Sequence, residues 1–230
     1  MLNGVDLVTP FPPQMALSDH NEMAYNPREA GRIAFFCLQN ALEGGETILT
    51  RNTDLTKHVS IDLKRMVVEH GGILYRREYS DGNKVLEAEQ TESKKRIGIS
   101  WQDKTGTKDR DGAIKFFTDI GFAEEGVYFN DNGTLVAQNI HSGFIDAPHD
   151  EEQKLWFNIL SLGVFKLADG TTVPPKILAQ LAKDEWKAAH ALKLRPGDWI
   201  VINNRAVQHG RLPFVDSDEQ KRTILTVYTE

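Results

Sequence analysis

The chain has 230 residues, a single cysteine and a formal net charge of -6, with a sequence pI near 5.7. That length can bury one large core or two small ones. The acidic balance offers no basic field for nucleic acid or an anionic membrane surface, and no apolar run reaches the roughly 18 residues that a membrane helix needs.

Met1 to Pro13 carries neither the basic nor the apolar region of a signal peptide. Cys37, alone in the chain, cannot form an intrachain disulfide. A reducing, cytoplasmic setting is therefore expected, with Cys37 a small buried hydrophobe.

Gly4 to Thr9 reads as a short strand, stopped by Pro10 and the Pro12-Pro13 pair. Residues 15–25 carry the triplet His20-Asn21-Glu22 and end at the turn signal Asn26-Pro27. Arg32 to Leu38 is expected as a buried strand and Glu46 to Thr50 as a second one. The Glu43-Gly44-Gly45 turn would join them as a hairpin-like pair. Asp54 to Glu69 has apolar residues at helical spacing, Val59, Leu63, Met66 and Val67, with Gly71-Gly72 as its stop.

Ile73 to Tyr79 reads as extended, and residues 81–111 as a polar loop or lid. A short helix is expected over Gly112 to Ile120. Val127 to Phe129 and Thr134 to Asn139 flank the hairpin signal Asn130-Asp131-Asn132-Gly133. Asp150 to Leu162 and Pro174 to His190 read as helices. The turn Arg195-Pro196-Gly197-Asp198 leads into a strand, Trp199 to Asn203, and Lys221 to Thr229 is a closing strand. Strands at both ends with helices between them predict a mainly β core closed by its termini, not a parallel α/β sheet. No repeat or linker divides residues 1–230, so they read as a single domain.

The triplet carries the chemistry. In an extended strand, side chains two apart share a side, so His20 and Glu22 would face the same way. Taken alone, such a triplet reads as an ordinary His–Glu pair. With His209 folded beside it, the set becomes two nitrogens and one oxygen on one face of a metal. That set suits non-haem Fe(II) and leaves positions open for other ligands. Order along the chain adds weight: Gly44-Gly45-Glu46-Thr47 follows the triplet, and Arg222 follows His209.

With these residues in place, the chain resembles the Fe(II)/2-oxoglutarate dioxygenases of the taurine dioxygenase and clavaminate synthase-like group. The matching runs are His20 to Tyr25 (HNEMAY), Phe35 to Thr47 (FFCLQNALEGGET), Leu155 to Asn158 (LWFN) and Leu194 to Phe214 (LRPGDWIVINNRAVQHGRLPF), followed by KRTILTVY. The resemblance implies a double-stranded β-helix, or jelly roll, with flanking helices. It implies that His20, Glu22 and His209 ligate Fe(II), and that 2-oxoglutarate and O2 are co-substrates. Thr47 and Arg222 would hold the distal carboxylate of 2-oxoglutarate. A guanidinium fork suits that carboxylate better than an ammonium does, and neighbouring Lys221 should point to the opposite face.

The implied reaction hydroxylates or desaturates an unactivated C–H of a small molecule. Relatives with glutamate in the triplet include several that act on amino acids, so an amino-acid-like substrate is expected. Halogenating relatives lack the carboxylate, and Glu22 argues against that chemistry. Thr226 stands where the taurine enzyme has a sulfonate-binding arginine, which argues against a sulfonate.

Weaker candidates complete the set. Arg211, two residues past His209, would share its face and approach the co-substrate, or else form a structural salt bridge. Asn158 would touch substrate or lie on a helix surface, and Trp101 would cap the pocket or pack as an ordinary aromatic. His58, His70, His141, His149 and His190 lack metal-like spacing.

Members of this group carry more residues ahead of the first iron ligand than the nineteen here. The alternative reading is thus a non-catalytic jelly-roll binding module, and exposed core edges would favour a homo-oligomer. A zinc hydrolase with the same three ligands leaves Thr47 and Arg222 without a role.

Overall fold

In this computed structural model, residues 6–7, 11–82, 100–147, 150–160, 166–217 and 219–229 are described. Two four-stranded antiparallel sheets dominate. The chain enters through β1 (Asp6–Leu7) and β2 (Leu17–His20), followed by β3 (Arg32–Gln39), β4 (Glu43–Gly44) and β5 (Thr47–Arg51). Two helices, α1 (Asn52–His58) and α2 (Ile61–Glu69), lead to β6 (Ile73–Tyr79). Then come α3 (Trp101–Thr105), α4 (Arg110–Asp119), β7 (Val127–Phe129), β8 (Leu135–His141), β9 (Phe144–Ala147), β10 (Asp150–Trp156) and β11 (Lys166–Leu167). The final stretch holds α5 (Pro175–Ala188), β12 (Ala189–Leu192), β13 (Trp199–Asn203), β14 (Val207–Arg211), β15 (Phe214–Val215) and β16 (Thr223–Thr229).

One sheet runs β1-β16-β3-β13 and the other β12-β5-β14-β2. The chain passes between them repeatedly: β2 to β3, β3 to β5, β12 to β13, β13 to β14, β14 to β16. That alternation is the winding of a double-stranded β-helix. A third sheet, β11-β6-β8-β7, carries the middle of the chain.

Alternation along β3 explains how the sheets meet. Ile33, Phe35 and Cys37 are buried, while Phe36 and Leu38 are exposed. The buried set packs with Ile202, Ile224 and Leu194, and reaches Leu49 and Val207 of the opposite sheet. Cys37 is free and fully buried, the hydrophobe its apolar run predicts. A second core lies under α1, α2 and α5 and includes Leu55, Leu63, Trp156, Phe157 and Leu181. A third joins α3 and α4 to β6, β7 and β8 through Trp101, Phe117 and Leu135. Among the described residues, no helix is long and apolar enough to cross a membrane.

Several expectations need correction. Arg32–Leu38 and Glu46–Thr50 form no hairpin: β3 pairs with β13 and β16, and β5 with β12 and β14. The turn between them carries the chain across the core instead. The helix expected over Asp54–Glu69 is broken after Val59, because Ser60 caps a new helix by accepting from the Leu63 N–H at 3.3 Å.

Asp150–Leu162 is not a helix. Its first seven residues form β10, bulged between Asp150 and Lys154 and paired with β9. Glu152, Gln153 and Lys154 favour helix locally, but pairing and the burial of Leu155 and Trp156 override that preference. In the lid expected over residues 81–111, residues 83–99 lie outside the described ones. Residues 100–105 form a short helix capped by the Ser100 hydroxyl.

Trp156 anchors this arrangement. It is fully buried, meets Phe144 edge-on at 5.3 Å between ring centroids, and its backbone N–H donates to the Thr56 hydroxyl at 2.8 Å. Trp156→Ala should cost about 3–5 kcal/mol. Urea unfolding should show this as a lowered midpoint at unchanged slope.

Candidate metal centre

His20 closes β2 and His209 lies in the middle of β14, and the two are paired across the strands. Their ring centroids are 4.4 Å apart. Glu22 is not on the strand. β2 ends at His20 and a turn begins, so the two-residue alternation expected to align His20 with Glu22 does not apply. The turn delivers the carboxylate instead. Glu22 Oε2 lies 3.7 Å from His20 Nε2 and 3.6 Å from His209 Nε2. One ligand atom from each of the three residues lies within 4.8 Å of the other two. Met23, next in the turn, has φ of 57°, a left-handed conformation uncommon for a side chain of its kind.

A web of buried amides holds this turn. The Asn204 side chain accepts from the Glu22 N–H at 2.7 Å and donates to the Glu22 carbonyl at 2.9 Å and the Ala30 carbonyl at 2.7 Å. Asn21 donates through Nδ2 to the Asn204 carbonyl at 2.7 Å, and its Oδ1 accepts from Gln208 at 2.9 Å and from the Asn158 N–H at 3.2 Å. The Asn21 N–H donates to the Asn158 carbonyl at 3.1 Å. Asn21 and Asn204 have no exposed surface. Sequence reasoning missed Asn204, although it lies in the run that carries the resemblance. Its signal was an asparagine pair just past a strand, five residues ahead of His209.

The electrostatics favour a metal. Burial, together with the charge of His20, pushes His209 down to about 3, so its imidazole is neutral with a lone pair to offer. Burial also opposes charge on His20, but the hydrogen bond and charge of Glu22 outweigh it and raise His20. For Glu22, burial is outweighed by the His20 bond and by the charges of His20, His209 and Arg77, which hold it below the ordinary carboxylate value. His20 Nδ1 sits 2.9 Å from the Ser18 carbonyl, which leaves Nε2 facing Glu22. Two imidazoles and an ionised carboxylate, with no thiolate nearby, fit Fe(II).

The other candidates divide. Thr47 is buried at the start of β5. Arg222 lies against the preceding glycine loop: its Nε donates to the Gly45 carbonyl at 3.4 Å, and a Cβ on Gly45 would come within 3.2 Å of its side chain. Gly45 has φ of 73°, so both backbone and space call for glycine. Burial lowers the Arg222 pKa, and among the described residues no carboxylate forms a salt bridge with its guanidinium.

Arg211 does not face a co-substrate space. Its guanidinium donates to the carbonyls of Phe11, Pro12, Pro13, Met15 and Leu212 at 2.9–3.3 Å. Asn158 lies on no helix; it is buried and braces Asn21. Trp101 packs in the third core, edge-on to Phe129 at 5.3 Å. Of the remaining histidines, His70 binds Asp169 at 2.6 Å, and His141 accepts from the Gly143 N–H.

Fold and cluster together define a jelly-roll protein with a two-histidine, one-carboxylate centre. Residues 175–228 match the model of the taurine catabolism dioxygenase TauD, TfdA family. The dapdiamide synthesis protein DdaC of Enterobacter agglomerans is 24% identical over 92% of this chain and 66% of its own length. A clavaminate synthase-like protein of Arabidopsis thaliana is 24% identical over 88% of this chain and 63% of its own. The solved structure of an asparagine oxygenase with Fe(II), 3-hydroxyasparagine and succinate superposes with a TM-score of 0.55 at 12% identity, over 98% of this chain and 56% of that one. This chain thus spans less than two thirds of the length of these relatives. The similarity to the TauD, TfdA family lies in residues 175–228.

Asn204→Ala frees both backbone groups of Glu22 and leaves buried partners unpaired. Loss of such supporting contacts costs about 10–100-fold in metal affinity. Anaerobic Fe(II) titration should read that loss while circular dichroism shows a folded protein.

Proposed function

We propose that the chain is an Fe(II)- and 2-oxoglutarate-dependent dioxygenase that hydroxylates, or desaturates, an unactivated C–H of a small amino-acid-like molecule. The observation that carries this reading is the convergence of His20, Glu22 and His209, from distant parts of the sequence, with one ligand atom of each within 4.8 Å of the other two. The product in the asparagine oxygenase structure is a hydroxylated amino acid, which supports the substrate class. The setting we infer is cytoplasmic, with no nucleic acid or membrane partner.

His20, Glu22 and His209 would hold the iron, which with 2-oxoglutarate and O2 supplies the oxidising power and leaves succinate and CO2. The chain's own tasks are binding, orientation and exclusion of water. Arg222, partly buried and with no carboxylate salt bridge among the described residues, is matched to the distal carboxylate of 2-oxoglutarate, with the Thr47 hydroxyl as a further donor. The Phe35 ring, 5.0 Å from that of His209, covers one side of the centre with an apolar wall.

With Fe(II), ascorbate and O2 but no substrate, slow conversion of 2-oxoglutarate to succinate should be measurable. His209→Ala should abolish it. Arg222→Lys keeps the charge but loses the fork, a difference of about 1.5–3 kcal/mol for a charged hydrogen bond. The 2-oxoglutarate concentration for half-maximal rate should then rise about 10–100-fold. Folded protein that binds no 2-oxoglutarate in the presence of Fe(II) would refute the assignment.

A further inference from the structure

Alternate residues of a strand share a face, so Tyr75, Arg77 and Tyr79 of β6 point the same way. Tyr75 and Tyr79 are buried, yet Arg77 between them is exposed. β8 pairs with β6 along its whole length, whereas β11 pairs only with Ile73 and Leu74 and does not reach Arg77. The buried, exposed, buried series on this face brings the Arg77 side chain to the surface between two packed tyrosines.

Arg77 adjoins the turn that carries Glu22. The Arg77 guanidinium carbon sits 3.5 Å from the centre of the Tyr25 ring, and Tyr25 follows Glu22 by three residues within the same turn. The charge of Arg77 helps to hold Glu22 in its ionised form. Burial and the charge of Arg77 together lower Lys104, on α3, which places a second cation within electrostatic reach. Among the described residues, neither Arg77 nor Lys104 forms a salt bridge with a carboxylate. Two like charges, one of them with its plane set by an aromatic face, form a receptor for an anion.

We propose that Arg77 is a specificity-determining residue that receives the carboxylate of a free amino-acid substrate at the mouth of the metal centre, with Lys104 as the second positive group. This inference rests on the oxygenase reading and narrows its substrate class. Two arginines would then serve two different acids: Arg222, beside the Gly45 loop, takes the co-substrate, and Arg77, beside Tyr25, takes the substrate. Fork geometry favours a carboxylate over an amide of the same size, because an amide brings no charge and only one acceptor oxygen.

The test is anaerobic calorimetry on protein loaded with Fe(II) and 2-oxoglutarate. It is titrated with the proteinogenic L-amino acids and, for each that binds, with the matching carboxamide, as in L-asparagine against L-asparaginamide. At least one free acid should bind at least tenfold more tightly than its carboxamide. Arg77→Gln should remove that preference, Arg77→Lys should restore part of it, and Lys104→Gln should weaken the acid a fewfold. Partial rescue by lysine separates carboxylate binding from a purely structural contact with Tyr25, and Arg77→Lys with Lys104→Gln decides the matter should Arg77→Gln not fold.

Equal binding of acid and carboxamide, an undiminished preference in the variants, or no amino acid bound by protein that takes up 2-oxoglutarate would each overturn the proposal. The 2-oxoglutarate isotherm is recorded first. Its absence defeats the oxygenase reading, while the acid–carboxamide comparison on the same protein still decides the role of Arg77.

Discussion

The centre depends on one constraint: the backbone of Glu22 is held on both its N–H and its carbonyl by a single asparagine side chain 182 positions away. A turn is a poor place for a ligand unless something fixes it, because it lacks the ladder of bonds that steadies a strand. Here the fixing is done inside the protein. A buried amide without partners costs about 1–3 kcal/mol, so each amide of the web is retained only while the others meet it. Asn21, Asn158 and Asn204 meet that condition, Gln208 adds a bond from its Nε2 to Asn21, and the turn inherits their rigidity. Met23 in its left-handed conformation is tolerated inside this frame.

The three side chains are also set apart in protonation by their surroundings. His209 is buried beside His20 and stays neutral, while His20 shares a hydrogen bond with Glu22 and favours its proton. The carboxylate stays ionised because two imidazoles and Arg77 face it. A cation taken up here would compete with the proton that Glu22 favours on His20. The winding of the fold makes this meeting possible. β2 and β14 are paired neighbours in one sheet although nearly the whole chain separates them, and Phe35 of the facing sheet closes over His209.

Much of this was legible in the sequence. Period-two burial in β3, the Asn-Gly hairpin between β7 and β8 and the terminal strands all follow from local pattern. His20, Glu22 and His209 carried their own chemical signal. What misled was pattern without partner. Residues 150–156 are helix formers by composition, yet they pair with β9 because Leu155 and Trp156 gain burial there. The two strands around Gly44-Gly45 suggested a hairpin because a turn shows where a chain bends but not which sheet receives it. Arg211, on the ligand strand, looked like a co-substrate residue, and only the fold reveals the row of carbonyls it meets. Arg77 was silent because its neighbours lie far away in the chain.

The Arg211 contacts have a mechanical consequence. Its guanidinium donates to four carbonyls of residues 11–15 and to that of Leu212, so it rivets the approach to β2 onto the strand that carries His209. Both histidine-bearing strands are therefore loaded through the same joint. A pull on whatever precedes residue 11 would be passed along β14 to the imidazole two positions away, making that leading segment a lever on the centre.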